Sequence, residues 1–516
     1  MPAHRKDDPD SDPRRELEED SPLASVTSTQ VRAHNFLLRR NAAAITENEV
    51  DMTFSPLQRE NAWMTFGALA VVVVGVVCVV LAVIRPVGRV DQAQIVADGD
   101  NHAIYVLVHG QLRPAWNLLS AQLVAGQPMK ATTVKHSVIT SYPTGPRVGI
   151  VDAPQAFNVR TGGRSDWALC DTAPAASSDP SPTVTALAGQ LTLGERASAL
   201  TGDNAVLAEH AGSTYVVWGG KRSRVDLGNR TLALALGIDS AAVAPVRMSK
   251  ALFDAIPATE ALTTPAIPQA GEPSRWPVPE GAVIGSVVKV PGINGDADAL
   301  YVVLADGLQA VEPFVASLLM SSLPAGQIDP IAVSPKVVSS VPAVSSLRVD
   351  YYPPRRLHLV NTKAFPVVCV GWSKGATDRE AVTTLISGKG LPIPMSQDGS
   401  VFPLVRNDRR PNSVEAQQVW IDPTAPNLAV VTGVGKDSTS RESLWWLSPQ
   451  GVRYGISQDD ETLRALALED QRAQAVQVPW PLLAVYAQGS ELSRRAALVE
   501  ADSVDAPPVL GAVQPQ

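Results

Sequence analysis

The sequence predicts an α+β protein: one transmembrane helix near the N-terminus, then four small βα repeats around a central β-rich domain. Three observations carry this reading. An uncharged apolar run fills residues 61–84, a strand–turn–strand–helix pattern recurs four times beyond it, and the two widest gaps between recurrences each hold one cysteine.

A chain of 516 residues is too long for one ordinary core, so several modules are expected. Hydrophobic residues make up 45% and charged residues 18%, as in folded proteins, and 42 prolines break the chain into short elements. The net charge is −8 and the basic residues are dispersed, which argues against nucleic acid as a partner.

Taken in order, residues 1–60 form a tail. Its first 25 residues are charged, carry no apolar pattern and read as disordered. From Ser28 to Arg40 the hydroxyl cap candidates and the spacing of Ala33, Phe36, Leu37 and Ala44 predict a short amphipathic helix. Phe36, Leu37 and Leu38, with Arg39 and Arg40, are the candidate contacts for a partner or the membrane surface; a helix that only caps the span is the competing reading.

The run from Asn61 to Ile84 contains no charge and ends at Arg85-Pro86. At about 1.5 Å per residue it is long enough to cross a hydrocarbon core of roughly 30 Å, and Trp63 sits where an interfacial aromatic anchors. Sixty polar residues before it argue against a signal peptide. The flanking arginines, Arg59 before and Arg85 and Arg89 after, leave orientation undecided and lean slightly toward a cytoplasmic C-terminal side. Cysteine usage points the other way. Cys78 lies within the span, so Cys170 and Cys369 form the one possible downstream pair, which fits a disulfide in an oxidising compartment; two buried thiols are the alternative.

The repeated pattern begins at Tyr105, Tyr215, Tyr301 and Trp445. In each, a strand of β-branched and aromatic residues meets a glycine-centred turn, a second short strand follows, and a Leu/Ala-rich helical stretch comes next. Helices are expected at 117–125, 230–236, 311–320 and 461–468, with Gly126 and Gly237 as C-terminal caps. The spacing is irregular, unlike a solenoid. Repeats are therefore placed at 90–152, 201–265, 275–345 and 431–500, with the inserts 153–200 and 346–430 joining as one central domain clipped by Cys170 and Cys369; residues 501–516 are a flexible tail.

At this point the chain resembles a known family. TQVRAHNFLLRR at 29–40, Met52 and Ser55-Pro56-Leu57 before the span, and Ile84-Arg85-Pro86 closing it are similar to the opening of the EccB family of the mycobacterial type VII (ESX) secretion system. Leu112-Arg113-Pro114, Asn117-Leu118-Leu119-Ser120-Ala121, Trp167-x-x-Cys170-Asp171, Val217-Trp218-Gly219-Gly220-Lys221-Arg222 and Gly451-Val452-Arg453-Tyr454-Gly455 resemble its later segments. The resemblance runs from about Thr27 to Leu498 and rests on the ordered combination. It implies a structural core subunit of the cell inner membrane: single-pass, N-terminus cytoplasmic, with an elongated periplasmic region of four repeats around a disulfide-linked centre. It also implies EccC, EccD, EccE and mycosin protease subunits, other copies of the same chain and membrane lipid as partners.

Chemistry is sparse. Some family members are described as ATPases, so ATP enters as a cofactor by family label only; the pattern G-x-x-x-x-G-K-[ST] is absent. The nearest stretches, Gly433-Val434-Gly435-Lys436-Asp437 and Gly388-Lys389-Gly390, read as turns. His102 and His109 lack partners at ligand spacing, and Asp98-Gly99-Asp100 and Asp296-Ala297-Asp298 read as turns rather than calcium loops. No catalytic, cofactor or metal residues are assigned. The alternatives to a scaffold are an ATP-hydrolysing subunit and a cell-wall anchor, the latter resting on Trp218, Trp445 and Trp446 standing exposed as platforms; the competing reading has them fill hairpin cores.

Overall fold

The structure is a computed structural model describing residues 27–47, 57–84, 90, 93–174, 181–194, 196–238, 244–292, 297–323, 326–404 and 414–501. The expectations for residues 1–25, Met52, Ser55-Pro56, Asp296 and 502–516 lie outside them. The chain divides into two compact units, residues 1–86 and 87–516.

The first unit holds two helices, α1 (Ser28–Glu47) and α2 (Leu57–Ile84). Thr27 and Gln30 cap α1 reciprocally: the Gln30 N–H donates to Thr27 Oγ1 at 3.4 Å and the Thr27 N–H to Gln30 Oε1 at 3.0 Å. The second helix starts four residues before the expected boundary at 61. Gln58, Arg59 and Glu60 are good helix formers, and charge ends an apolar run without ending a helix.

In the second unit four small sheets share one topology. The first contains strands Ile95–Asp98, Ile104–Val108, Gln111–Pro114 and Thr132–Val134. The first three form an antiparallel meander, and the fourth returns parallel to the first on its outer edge. Strands 204–210, 213–218, 221–224 and 246–247 repeat this order, as do 287–290, 299–303, 308–310 and 331–332, and 428–432, 444–447, 452–456 and 476–479. A last short segment then pairs parallel to the third strand. It appears as the bridges Leu112↔Thr144, Arg222↔Ala258 and Leu308↔Ala343, and as strand Ala487–Gln488. Each unit thus has two crossovers running in opposite directions. Parallel crossovers are right-handed, so their helices fall on opposite faces of the sheet.

This corrects the expected unit of two strands and one helix, which is only the middle of the observed one. The outer strands are two to seven residues long, and three of the last segments open at Pro143, Pro257 and Pro342, whose carbonyls accept from the N–H of Leu112, Arg222 and Leu308 at 2.8–2.9 Å. Proline fits such an edge because it needs no donor there. The first crossover helices are α3 (Leu118–Ala125), α5 (Arg230–Leu236), α7 (Pro313–Ser322) and α9 (Asp460–Ala465); the second are α4 (His136–Ile139), α6 (Lys250–Ala255), α8 (Pro335–Ser340) and α10 (Trp480–Leu483). Gly126 and Gly237 end α3 and α5 in left-handed conformation, with φ of 73° and 76°. Gly307 departs from the expected hairpin role. Its φ is not positive; instead, a Cβ there would lie 2.2 Å from the Pro342 oxygen.

Alternation along each strand serves both faces. Ile95, Val106, Leu119 and Leu123 of the first repeat share one core with Leu428, Trp446 and Leu463 of the fourth, so α3 and α9 pack together. Ala205, Val216 and Leu232 of the second repeat share another with Val287, Val302, Phe314 and Leu318 of the third, through α5 and α7. A short helix α11 (Arg494–Ala497) also packs on α3, and the Ala501 N–H donates to the Arg147 oxygen at 3.0 Å.

The two inserts interleave in one seven-stranded sheet, ordered 402–403, 418–421, 183–188, 165–172, 367–374, 382–388, 197–199. Strands 165–172 and 367–374 pair antiparallel at its middle, with Cys170 opposite Cys369. One face, bearing Trp167, Leu169, Val368, Val370 and Trp372, packs against α6 and α10 of the second and fourth repeats. The other carries Cys170, Cys369, Leu187, Ile386 and Trp420. Asp171 faces α6, accepting from the Ser249 N–H and hydroxyl, both at 2.7 Å, while Ser249 caps that helix. Burial pushes the Asp171 carboxyl up to about 6, partly offset by these two bonds.

Two outcomes follow from this packing. Trp446 is 1% exposed, lies 5.0 Å from Phe157 with the rings tilted by 45°, and donates Nε1–H to the Asn158 oxygen at 3.2 Å. Trp446→Ala is expected to lower the unfolding free energy by about 3–5 kcal/mol in a denaturant titration, and a loss below ~1 kcal/mol would show that the joint between first and fourth repeats is not packed as described. The second outcome concerns pH. A carboxyl raised from 3.8 to about 6 on folding stabilises the fold only when protonated, so its contribution grows as pH falls through 6 and is lost above it. Between pH 7.5 and 5 the wild type should gain about 1 kcal/mol over Asp171→Asn; parallel pH profiles would remove Asp171 as the cause.

Candidate functional site

The residues singled out by sequence lie in separate places. Phe36, Leu37 and Leu38 are 42%, 53% and 52% exposed on α1, followed by exposed Arg39 and Arg40. Val31 and Ile45 are also exposed, so within its own unit this helix keeps several large apolar side chains uncovered. In α2, the window Ala62–Val80 has mean hydropathy 2.5 and no buried residue. A 28-residue helix of this kind is about 42 Å long and suits a hydrocarbon surrounding. Cys170 and Cys369, both 0% exposed, are joined at an S–S distance of 2.08 Å across directly opposed strand positions, leaving Cys78 as the free cysteine.

The two glycine–lysine stretches have different work. Gly388 ends a central strand, where a Cβ would lie 2.3 Å from the Arg196 oxygen, and the Lys389 N–H donates to that same oxygen at 2.8 Å. Gly388 is therefore required by close strand packing. Gly433 follows strand Leu428–Thr432, and its N–H points at Ser438 Oγ and Ser440 Oγ, 3.1 and 3.0 Å away. Lys436 Nζ meets Glu380 Oε2 at 2.9 Å. A phosphate loop leads from a strand directly into a helix, with its amides open to the ligand. Here the chain continues to strand Leu444–Leu447 and serine hydroxyls occupy the amide.

The aromatic candidates are largely interior. Trp218 and Trp446 are 6% and 1% exposed. Trp445, on the opposite face from Trp446, is half-buried 5.5 Å from Trp480, with the Arg453 guanidinium 5.0 Å from both rings. Packing of hairpin cores explains these tryptophans, and the platform needed for a cell-wall anchor is missing at Trp218 and Trp446.

His102 and His109 occupy turn positions with φ of 59° and 50°. Asp98 closes the turn by accepting the Asp100 N–H at 3.0 Å, and its other oxygen lies 2.7 Å from His136 Nδ1. The Asp100 amide and then His136 hold the Asp98 carboxyl below its usual range, and Asp98 raises His136. Sequence reasoning missed His136, because only the parallel return of strand Thr132–Val134 beside Ile95–Asp98 brings it there.

Comparison with known proteins covers nearly all of the chain. A family model described as "Type VII secretion system ESX-1, transport TM domain B" matches residues 23–506. The ESX-2 secretion system ATPase EccB2 of Mycobacterium tuberculosis (strain ATCC 25618 / H37Rv) is 44% identical over 492 residues, covering 95% of this chain and 98% of its own. A chain in the periplasmic assembly from the ESX-5 inner membrane complex aligns with a TM-score of 0.70 and 35% identity, over 82% of this chain and 99% of that one. One in the intact ESX-5 inner membrane complex, a composite with C3 symmetry, aligns with a TM-score of 0.73 and 33% identity, over 96% and 99%. Matched from its N-terminal helix to its last repeat, the chain belongs to the EccB family, a membrane component of the ESX type VII secretion system.

Proposed function

We propose that this chain is a structural core subunit of an ESX inner-membrane complex, with residues 1–60 cytoplasmic, 61–84 spanning the membrane and the remainder an elongated periplasmic body of four repeats around a central domain. The observation that carries this is the buried Cys170–Cys369 disulfide at the centre of the post-span unit. Such bonds persist in oxidising compartments and are rare in the cytosol. The relative in the periplasmic assembly supports the same side, since it covers 82% of this chain, close to the share lying beyond the apolar helix. EccC, EccD, EccE, a mycosin protease and membrane lipid are the proposed partners, and the C3 form of the ESX-5 complex supports several copies per assembly.

The scaffold role rests on how the unit is built. Its helices and strands are spent on packing the repeats together in pairs and onto the centre, whereas α1 offers uncovered Phe36, Leu37 and Leu38 beside Arg39 and Arg40. A second reading, ATP hydrolysis, is favoured by the name of the relative, the ESX-2 secretion system ATPase EccB2. Against it stand the amide-filling serines at Gly433 and the Lys436–Glu380 pair.

Two measurements test these readings. The purified full-length chain is expected to hydrolyse ATP far below about 1 s⁻¹, with any residual rate unchanged by Lys436→Ala or Lys389→Ala. Turnover near that value that disappears in either variant would establish the enzyme reading. Phe36→Ala combined with Leu37→Ala should reduce recovery of the large complex on native gels by about tenfold or more, since truncating an apolar anchor costs about 2 kcal/mol or more of binding. Complex at the normal level would restrict α1 to capping the span.

A further inference from the structure

A cleft of about 670 Å³ opens between the turn after central strand Val367–Lys374 and two loops of the fourth repeat. Lys374, Arg379 and Arg441 line it, against one carboxylate, Asp378. This local excess of positive charge stands in a chain whose net charge is −8, and the topology gathers it from residues dispersed in the sequence. The groups holding two of these cations do not cancel them. Lys374 Nζ donates to the Ser438 carbonyl at 3.3 Å, and Arg441 donates to the carbonyls of Arg472, Ala473 and Ala475 at 2.9–3.3 Å. Among the described residues none of the three cations is in a salt bridge. Asp378 accepts the Gly375 N–H at 2.8 Å, which ties its carboxylate into the turn.

We propose that this cleft binds an oligophosphate group, a run of two or more linked phosphates, recognised by charge and hydrogen bonding alone. The Arg441 guanidinium and the Lys374 ammonium, fixed by neutral carbonyls, and the exposed Arg379 guanidinium beside them surround a water-accessible gap and match an anion carrying several charged oxygens. The walls argue against a peptide, because Val476 is the largest apolar side chain lining the cleft and peptide recognition needs aromatic or aliphatic anchors. They also argue against recognition of a nucleobase, since among the described residues no aromatic ring lines it to stack upon. The source of the phosphates is left open by this chemistry: a nucleotide and a free polyphosphate present the same group. The proposal is one of binding without turnover, and it is independent of the scaffold reading.

Isothermal titration of the full-length chain in detergent, with inorganic tripolyphosphate and with ATP, tests it. Both should bind with similar Kd, and raising the salt concentration should weaken both. Arg379→Ala is expected to weaken both by about tenfold or more, consistent with loss of a charge-assisted contact. Arg379 is exposed and makes no hydrogen bond among the described residues, so this variant should keep the wild-type melting midpoint. No binding of tripolyphosphate, binding of ATP alone, or affinities unmoved by Arg379→Ala would each overturn the proposal.

Discussion

The post-span unit depends on one long-range pairing, the antiparallel ladder between strands 165–172 and 367–374 with Cys170 opposite Cys369. Those cysteines are 199 residues apart in sequence, so the pairing closes a loop containing two complete repeats. In a chain-entropy model a crosslink across such a loop removes up to about 5 kcal/mol of unfolded-state freedom. The sheet cannot be assembled from either insert by itself. Strand 197–199 from the first insert lies beyond the 382–388 strand of the second, and 418–421 lies beyond 183–188 of the first.

The rest of the unit is organised from that sheet by crossover geometry. Opposite crossovers give every repeat one helix on each face, so each can meet two neighbours. First-crossover helices join the repeats in pairs, first with fourth and second with third. Second-crossover helices of the second and fourth repeats seat on the face of the central sheet that carries Trp167 and Trp372. Each pair therefore reaches the centre through one of its members. Asp171, adjacent to the crosslinked Cys170, holds one of these seatings by hydrogen bonds to Ser249 at the start of α6.

Much of this was legible in the sequence where a local rule was sufficient. The uncharged run before Ile84, the hairpins after Tyr105 and Tyr215, the helix 230–236 and the left-handed caps at Gly126 and Gly237 each follow from residues close together in the chain. The wide gaps in the repeat spacing located the inserts, and the cysteine in each suggested that the two come together, because a pair of cysteines is itself a long-range signal. What stayed hidden was set by distant partners. Strands such as Val246–Arg247 and Ile331–Ala332 are too short to show a period, and their parallel partners lie far upstream. Gly307 looked like a turn glycine and is instead required by the closeness of Pro342, and the Asp98–His136 pair exists only through a crossover.

The central claim is that two distant inserts are covalently joined in an oxidising compartment and that the repeats are built on that joint. Peptide mapping under non-reducing conditions, on protein taken from native membranes with thiols blocked at lysis, tests it most directly. The account predicts one linked peptide pair containing Cys170 and Cys369, with alkylation at Cys78 alone. Alkylated Cys170 and Cys369 in the recovered protein would contradict both the joint and the compartment.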